Sequence, residues 1–174
     1  MNRTTNHAMC NLCFVGLLLG SVSCGDMRDG PPPPDDTLCV RGTLEPDIEY
    51  AGDLAGPDVD ADSGKLAPGS YIISSTYLKL ATDPEGQEAF RDAVARIVEE
   101  LSTQDGLSAF QLATSEQCLT ARTLSVWRDE AAMYRFAAGA AHEDAKASLY
   151  ITSRGGGVVT HWADDHTGAT FEAA

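Results

Sequence analysis

Histidine and aspartate side chains stand close together near the C-terminus. His161 and His166 are separated by four residues, two of which are Asp164 and Asp165. Imidazole and carboxylate groups are common zinc ligands in proteins. This spacing belongs to no recognised metal-binding motif. We therefore predict no metal site here.

A second acidic cluster lies earlier in the chain, where Asp58, Asp60 and Asp62 alternate with other residues. Alternating aspartates are typical of EF-hand calcium loops, which also need glycine at the sixth position and glutamate at the twelfth. Ser63 and Gly69 occupy those two positions here. A calcium site and a solvated acidic segment both stay open, and the failed match favours the solvated segment.

One histidine and two tryptophans are the candidates for substrate or ligand chemistry. His142 could act as a general base or bind a ligand, or it could be a partly exposed helix residue. Trp127 and Trp162 could stack on an aromatic substrate, or they could fill a hydrophobic core. The expected strand registers place Gln111 and Ser125 on the same sheet face as the two tryptophans. These four residues are the predicted lining of a ligand cavity.

Cys24 follows a short apolar run at residues 12–19 and a few small residues, with one basic residue, Arg3, near the start. The run is too short to span a bilayer and has the length of a signal-peptide core. The pattern resembles a bacterial lipoprotein signal, so we predict removal of residues 1–23 and lipidation of Cys24. Ser21 stands where such signals usually carry leucine. Secretion with cleavage elsewhere and an N-terminus without a targeting role are therefore the alternatives.

Lipidation would place the protein in the cell envelope. Several acyl chains on Cys24 would hold it stably on a lipid membrane. Gly25, rather than aspartate, follows the cysteine, and by resemblance to known sorting rules this favours the outer membrane. The sequence does not decide between its periplasmic and surface sides.

Two cysteines, Cys39 and Cys118, would remain unlipidated in the mature chain, because Cys10 and Cys13 leave with the signal. An even pair in an oxidising compartment predicts a disulfide. Two unpaired thiols are the alternative.

The chain has 174 residues and a formal net charge of −14. Residues 24–67 are rich in proline, glycine and aspartate, so we predict an acidic tether there. Residues 68–174 are enough for one domain with a hydrophobic core. The sequence contains no basic patch, which argues against nucleic-acid binding.

The domain sequence predicts four strands and two helices. Strands are expected over residues 70–80, 107–113, 122–127 and 158–163. The first helix begins near Pro84, and the second follows its capping residue Asp129 until Gly139 bends or interrupts it. The order β-α-β-β-α-β predicts a ferredoxin-like α+β domain with both helices on one sheet face. The other face, carrying Trp127 and Trp162, would be open, and a second copy is expected to cover it.

The segment RTLSVWRDEAAMYRF runs from Arg122 to Phe136. It combines a strand ending in Trp127, acidic helix-start residues and an apolar helix that leads to His142. This pattern resembles the antibiotic-biosynthesis-monooxygenase-like superfamily and, locally, its spheroidene-monooxygenase-like branch. The resemblance covers about residues 70–165. It implies a dimeric α+β barrel and hence a homodimer.

The resemblance does not imply haem degradation. Members with that activity carry a tryptophan and a histidine on the second helix, and Phe136 and Lys146 stand at those positions here.

Two functions stay open. The favoured one is a membrane-anchored extracytoplasmic lipoprotein whose domain is a small-ligand-binding or structural module, with a small apolar or aromatic molecule as the possible ligand. The alternative is a cofactor-independent monooxygenase-like enzyme that acts on a small aromatic or polyketide-like substrate, with His142 as the catalytic candidate. Export favours the first, because characterised members of the superfamily are mostly cytoplasmic. No cofactor is expected in either case.

Overall fold

The computed structural model describes Thr37, Cys39, residues 42–155 and residues 157–174. The predicted signal sequence and the lipidation site, Cys24, lie outside the described residues and stay predictions.

An antiparallel sheet forms the centre of the domain, and its five strands among the described residues have the order β1-β3-β4-β2-β5. The strands are β1 (Glu49–Tyr50), β2 (Ser70–Lys79), β3 (Leu107–Ser115), β4 (Thr120–Trp127) and β5 (Val158–Asp165). The helices are α1 (Pro84–Ser102), α2 (Glu130–Ala137), α3 (Ala140–Ala147) and α4 (Leu149–Thr152). Strands β2 to β5 are the four predicted strands, so the ferredoxin-like α+β fold is confirmed. Strand β1 was not predicted.

Local sequence signals explain where the helices begin and end. The Asp83 carboxylate accepts a hydrogen bond from the Gly86 N–H at 2.8 Å, and Pro84 starts α1. The Asp129 carboxylate caps α2 through the Ala132 N–H, also at 2.8 Å. Gly139 interrupts the second helical segment, as predicted, and is the N-cap residue of α3.

Helices cover one face of the sheet, which we call the helix side. Its buried core joins the end of α1 to β4 and α2, and it consists of Leu101, Leu107, Trp127, Ala132, Met133 and Phe136. Trp127 is 0% exposed, and its ring lies 5.2 Å from the ring of Phe136. The expectation that Trp127 lies on the open face of the sheet is therefore wrong.

The opposite face is covered by residues 42–67, which we call the strap, and by the C-terminal Phe171. The apolar strap residues are Leu44, Ile48, Leu54, Val59 and Leu66, and all pack against the core on this face. We call this face the strap side. The expectation of an open face is wrong, and so is that of a solvated tether for residues 42–67, because this segment is part of the hydrophobic core.

The strap runs antiparallel to the outer edge of β3. Glu49 and Tyr50 of β1 pair with Thr114 and Ala113. Further along, Ala55 and Phe110 exchange two backbone hydrogen bonds of 3.0 and 2.8 Å. The strap therefore extends the sheet and also covers its face.

Gly56 allows the closest approach of the strap to β3. A Cβ atom at this position would lie 2.3 Å from the Ser108 carbonyl oxygen and 2.5 Å from the Ala109 Cα. Any other residue would push the strap away from the sheet.

A disulfide joins Cys39 to Cys118, with 5.5 Å between their Cα atoms. The predicted disulfide is thus present, and the alternative of two unpaired thiols is wrong. Cys118 lies in the turn between β3 and β4, so the bond ties the chain just before the strap to the sheet. Within the described ranges, no helix has both the length and the apolar character needed to cross a membrane.

Candidate functional site

The strand register separates the four residues of the predicted ligand cavity. Trp127 is opposite Ile72, whereas Trp162 is opposite Ile73. Paired residues share a face and successive residues point to opposite faces, so the two tryptophans lie on opposite sides of the sheet. The structure does not bring them together.

The two polar residues of the predicted cavity are separated in the same way. Gln111 is opposite Leu124, the neighbour of Ser125, and therefore faces the strap side. Its Nε2 donates to the Gly52 carbonyl of the strap at 3.0 Å. The Ser125 hydroxyl faces the helix side and accepts a hydrogen bond of 2.9 Å from the Trp127 indole N–H. Gln111 and Ser125 thus support packing on opposite sides of the sheet.

His142 lies in the first turn of α3, half-buried against the helix-side core. Its Nδ1 is 3.1 Å from the Ala137 carbonyl oxygen, and its ring lies 5.3 Å from that of Phe136. Burial lowers the pKa of His142 below its ordinary value, and Lys146 lowers it further. The imidazole is therefore neutral at neutral pH. In that form Nδ1–H donates to the carbonyl and Nε2 is the acceptor nitrogen.

The polar contacts of the strap were not predicted from the sequence, and they centre on three carboxylates that we call the clasp: Glu45, Asp47 and Asp58. Glu45 accepts hydrogen bonds of 2.7 Å from the Thr120 hydroxyl and from the Arg122 Nε. The side chains of Glu45 and Arg122 are only 4% and 11% exposed. The Arg122 guanidinium also lies over the Tyr77 ring, 4.8 Å from its centroid.

The other two clasp carboxylates hold the strap to β3, to the turn after β3 and to Arg128, which follows β4. Asp47 accepts from the Ser115 hydroxyl and from the Gln117 N–H. Burial alone would raise the pKa of Asp47, but these hydrogen bonds outweigh it and the pKa is lowered. Asp58 accepts from Arg128 at 3.0 and 3.2 Å and from the Ser108 hydroxyl at 2.7 Å.

The aspartates of the failed calcium pattern have separate roles. The hydrogen bonds from Arg128 and then from Ser108 lower the pKa of Asp58. Asp60 accepts from the Ser63 N–H and hydroxyl within a local turn. Among the described residues, no group of three or more histidine, cysteine, aspartate or glutamate side chains is arranged to hold a metal ion.

A cavity of about 180 Å³, which we call the strap cavity, lies where the strap, the sheet and the C-terminus meet. The Glu45–Arg122 pair lies in its wall, beside Tyr77 and Phe171. It is the part of the strap side that side chains leave unfilled.

A larger opening of about 460 Å³, which we call the edge groove, lies between α4 and β5. Its described lining carries no charged side chain and includes Leu78, Leu149, Tyr150 and Val159. Tyr150 is 83% exposed and Val159 is 65% exposed. His142 lines neither the groove nor the strap cavity.

Comparison with known proteins supports the fold. Residues 76–148 match the family of antibiotic biosynthesis monooxygenases. A putative monooxygenase from Fusobacterium nucleatum superimposes with a TM-score of 0.50 at 12% identity, over 69% of this chain and 50% of that chain. No curated protein matches the chain.

Two further solved structures match less well. A protein from Pseudomonas aeruginosa has a TM-score of 0.48 at 13% identity, over 55% of this chain and 95% of that chain. A mutant of SnoaB, a cofactor-independent oxygenase from Streptomyces nogalater, has a TM-score of 0.42 at 17% identity, over 54% of this chain and 90% of that chain. Identities this low are no evidence for a shared activity.

The sheet order and the helices on one face define an α+β protein of ferredoxin-like topology. Within this fold, residues 76–148 are similar to the antibiotic biosynthesis monooxygenase family.

Proposed function

We propose that the mature protein is a lipoprotein of the cell envelope and that its domain is a non-catalytic, small-ligand-binding or structural module. The observation that carries this proposal is that the chain's own side chains fill the helix side of the sheet and, apart from the strap cavity, the strap side as well. Trp127 is 0% exposed on the helix side, as are Ile73 and Leu124 on the strap side. A substrate that must reach His142 and stack on Trp127 would have to enter the helix-side core, and this core has no room for it.

The anchor would be an acylated Cys24, with the outer membrane as the favoured location. Because Cys39 is bonded to Cys118, residues 25–38 form the connection between the anchor and the domain. A chain of 14 residues spans at most about 50 Å when fully extended. The domain would therefore remain close to the membrane surface.

A fractionation experiment tests the anchor. Cys24→Ala should move the protein from the membrane fraction into a soluble or unprocessed form, whereas Cys39→Ala should leave it in the membrane fraction. If the Cys24→Ala protein stays membrane-bound and its N-terminus is intact and unacylated, the anchor is wrong.

The edge groove is the better candidate for ligand binding, because ligand pockets generally have volumes of about 300–1,000 Å³ and mostly apolar walls. Its uncharged lining favours an uncharged apolar or aromatic molecule. The fluorescent probe N-phenyl-1-naphthylamine has this character and should bind the purified protein.

Two matched variants test the groove. Tyr150→Ala should weaken probe binding by about 3- to 10-fold, the loss expected for one aromatic contact. Tyr134→Ala removes another exposed tyrosine that does not line the groove, and it should leave binding unchanged. Equal weakening by both variants, or no binding by the wild type, would contradict the ligand site and leave the structural role.

A cofactor-independent monooxygenase is the second candidate. The family match favours it because residues 76–148 include His142, whose lowered pKa keeps the imidazole neutral and able to accept a proton. Oxygen consumption with polycyclic phenols would then be lost in His142→Ala and kept in His166→Ala. Wild-type protein that consumes no oxygen with such substrates would exclude this candidate.

A further inference from the structure

Exposed apolar side chains are concentrated at the edge groove. Five large hydrophobic side chains are exposed among the described residues, and three of them, Leu149, Tyr150 and Val159, line this groove. The other two, Tyr50 and Tyr134, belong to β1 and α2. An exposed cluster of this kind is typical of a surface that contacts a partner.

The groove lies at the end of the sheet to which the N-terminal segment is attached, and we call this the tether end. Cys39 is bonded to Cys118, in the turn between β3 and β4. The Arg154 guanidinium donates to the Cys118 carbonyl oxygen at 2.9 Å. Arg154 directly follows Ser153, which lines the groove. The attachment point of the N-terminal segment and the groove are therefore neighbours.

The strap cavity gives the same placement. Its wall includes Cys39 together with Tyr77 and Val158. Tyr77 and Val158 are paired across β2 and β5, and both also line the edge groove. The groove thus borders on the same strand pair that Cys39 approaches from the strap side.

We propose that the edge groove docks on the membrane surface that carries the protein, so that Leu149, Tyr150 and Val159 lie in the lipid interface. The apolar partner of this site is then membrane lipid, and the inference rests on the proposed anchor at Cys24. Residues 25–38 span at most about 50 Å, so the tether end is the part of the domain whose distance from the lipid is most limited. Such a short connection gives an effective concentration on the order of millimolar, at which a weak contact suffices.

The chemistry of the groove fits a lipid surface without net charge. The described lining carries no charged side chain, so docking brings no charge of the groove into an apolar medium. Tyrosine is enriched at membrane interfaces, because its ring is apolar while its hydroxyl group stays hydrated. The chain has a formal net charge of −14, which disfavours an anionic lipid surface. Phosphatidylcholine is therefore the lipid for the test.

The test uses the mature chain of the proposed function, residues 24–174, in which Cys24 is the only cysteine outside the disulfide. Its thiol is coupled to a maleimide-headgroup lipid in phosphatidylcholine nanodiscs, so the tether is present whether or not cells acylate this residue. A gadolinium-chelating lipid in the same nanodiscs broadens the NMR signals of amides close to the lipid surface.

Docking predicts a specific pattern of broadening. The amides of Tyr150 and Val159 should broaden more than those of Asp105 and Glu130, which precede β3 and follow β4 at the opposite end of the sheet. Tyr150→Ala should lower the ratio of docked to undocked protein about 5-fold, because an exposed apolar ring no longer enters the lipid. The broadening at Val159 should fall with it. Tyr134→Ala is the matched control and should leave the pattern unchanged.

Equal broadening at both ends of the sheet would overturn the proposal, and so would stronger broadening at Asp105 and Glu130. Should Tyr150→Ala leave the pattern unchanged, Val159→Asp decides. This variant places a charge in the lipid contact and should abolish the selective broadening. A selective pattern that survives both substitutions would overturn docking through the groove.

These results are distinguishable from failure of the proposed function. A protein that binds N-phenyl-1-naphthylamine in solution but broadens equally at both ends keeps its small-ligand site and overturns docking alone. An unacylated Cys24 in cells would contradict the anchor instead, without changing the nanodisc result.

Discussion

On the helix side of the sheet, an aromatic and aliphatic core centres on Trp127 and Phe136. On the strap side, an apolar core of similar extent is supplemented by the three clasp carboxylates and a disulfide. The difference follows from the covering element. Capped helices bring regular apolar faces, whereas the strap has little regular structure. Side-chain contacts and a covalent bond hold much of it in place.

Loss of a single side chain should lower the stability of the protein more on the helix side than on the strap side. Trp127→Ala should lower the free energy of unfolding by about 3–5 kcal/mol, because it removes a large, fully buried ring. Trp162→Ala is the matched control, since Trp162 is only partly buried on the strap side, and its effect should be clearly smaller. Urea denaturation of both variants tests this order, and equal losses would contradict it.

Loss of the disulfide should have the second-largest effect on stability, and this effect should be confined to the strap side. Replacing Cys39 and Cys118 with serine should lower the free energy of unfolding by about 2–4 kcal/mol, because the bond closes a long loop in the unfolded chain. Hydrogen exchange can localise the effect. Protection of the Ala51 and Ala55 amides should fall, whereas amides of α1 should keep theirs. Uniform loss of protection in both regions would show that the two sides are not independent.

Acid should also lower the stability of the strap side, by less than loss of the disulfide does. The folded-state pKa of Asp58 is lowered from its ordinary value of 3.8. Its stabilising effect is therefore complete above about pH 4 and is lost as the pH falls through the lowered pKa.

Asp58→Asn tests the acid effect. The variant should be less stable than the wild type at pH 7, and this difference should shrink below about pH 4. Asp53→Asn is the control, since Asp53 is an exposed strap residue outside the clasp. A stability difference for Asp58→Asn that stays constant with pH would contradict a charged contact with Arg128.

Local sequence signals were sufficient to predict strands β2 to β5 and the starts of α1 and α2. Asp83, Pro84 and Asp129 begin helices, and Gly139 interrupts one, as expected from capping and backbone chemistry. Strands β2 to β5 were each predicted within a few residues of their observed bounds. These features depend on neighbours along the chain, which a sequence displays directly.

The candidate site was predicted less well, because it depends on contacts between strands. Alternation within β4 places Ser125 and Trp127 on one face, but it does not say whether that face meets helices. The pairing of Ile72 with Trp127 and of Ile73 with Trp162 decides this. A shift of one residue in either pairing would have placed the tryptophans together.

The strap had one signal that could have revealed it. The five leucine, isoleucine and valine residues from Leu44 to Leu66 are unusual for a solvated acidic tether, whose composition gives little apolar surface to bury. The clasp had no comparable signal, because Glu45 meets Arg122 across more than seventy residues.

The sequence by itself determined strands β2 to β5, the starts of α1 and α2 and the order of these elements, and it favoured the pairing of Cys39 with Cys118, because periodicity, capping residues and cysteine number are local or countable properties. Only the tertiary structure decided that residues 42–67 cover the sheet, that Trp127 belongs to the helix side and that His142 faces a filled core. Each of these depends on which distant surfaces share one face of the sheet. Packing and strand register decide which surfaces share a face. A shift of one residue in the register would move every side chain of that strand to the other face of the sheet.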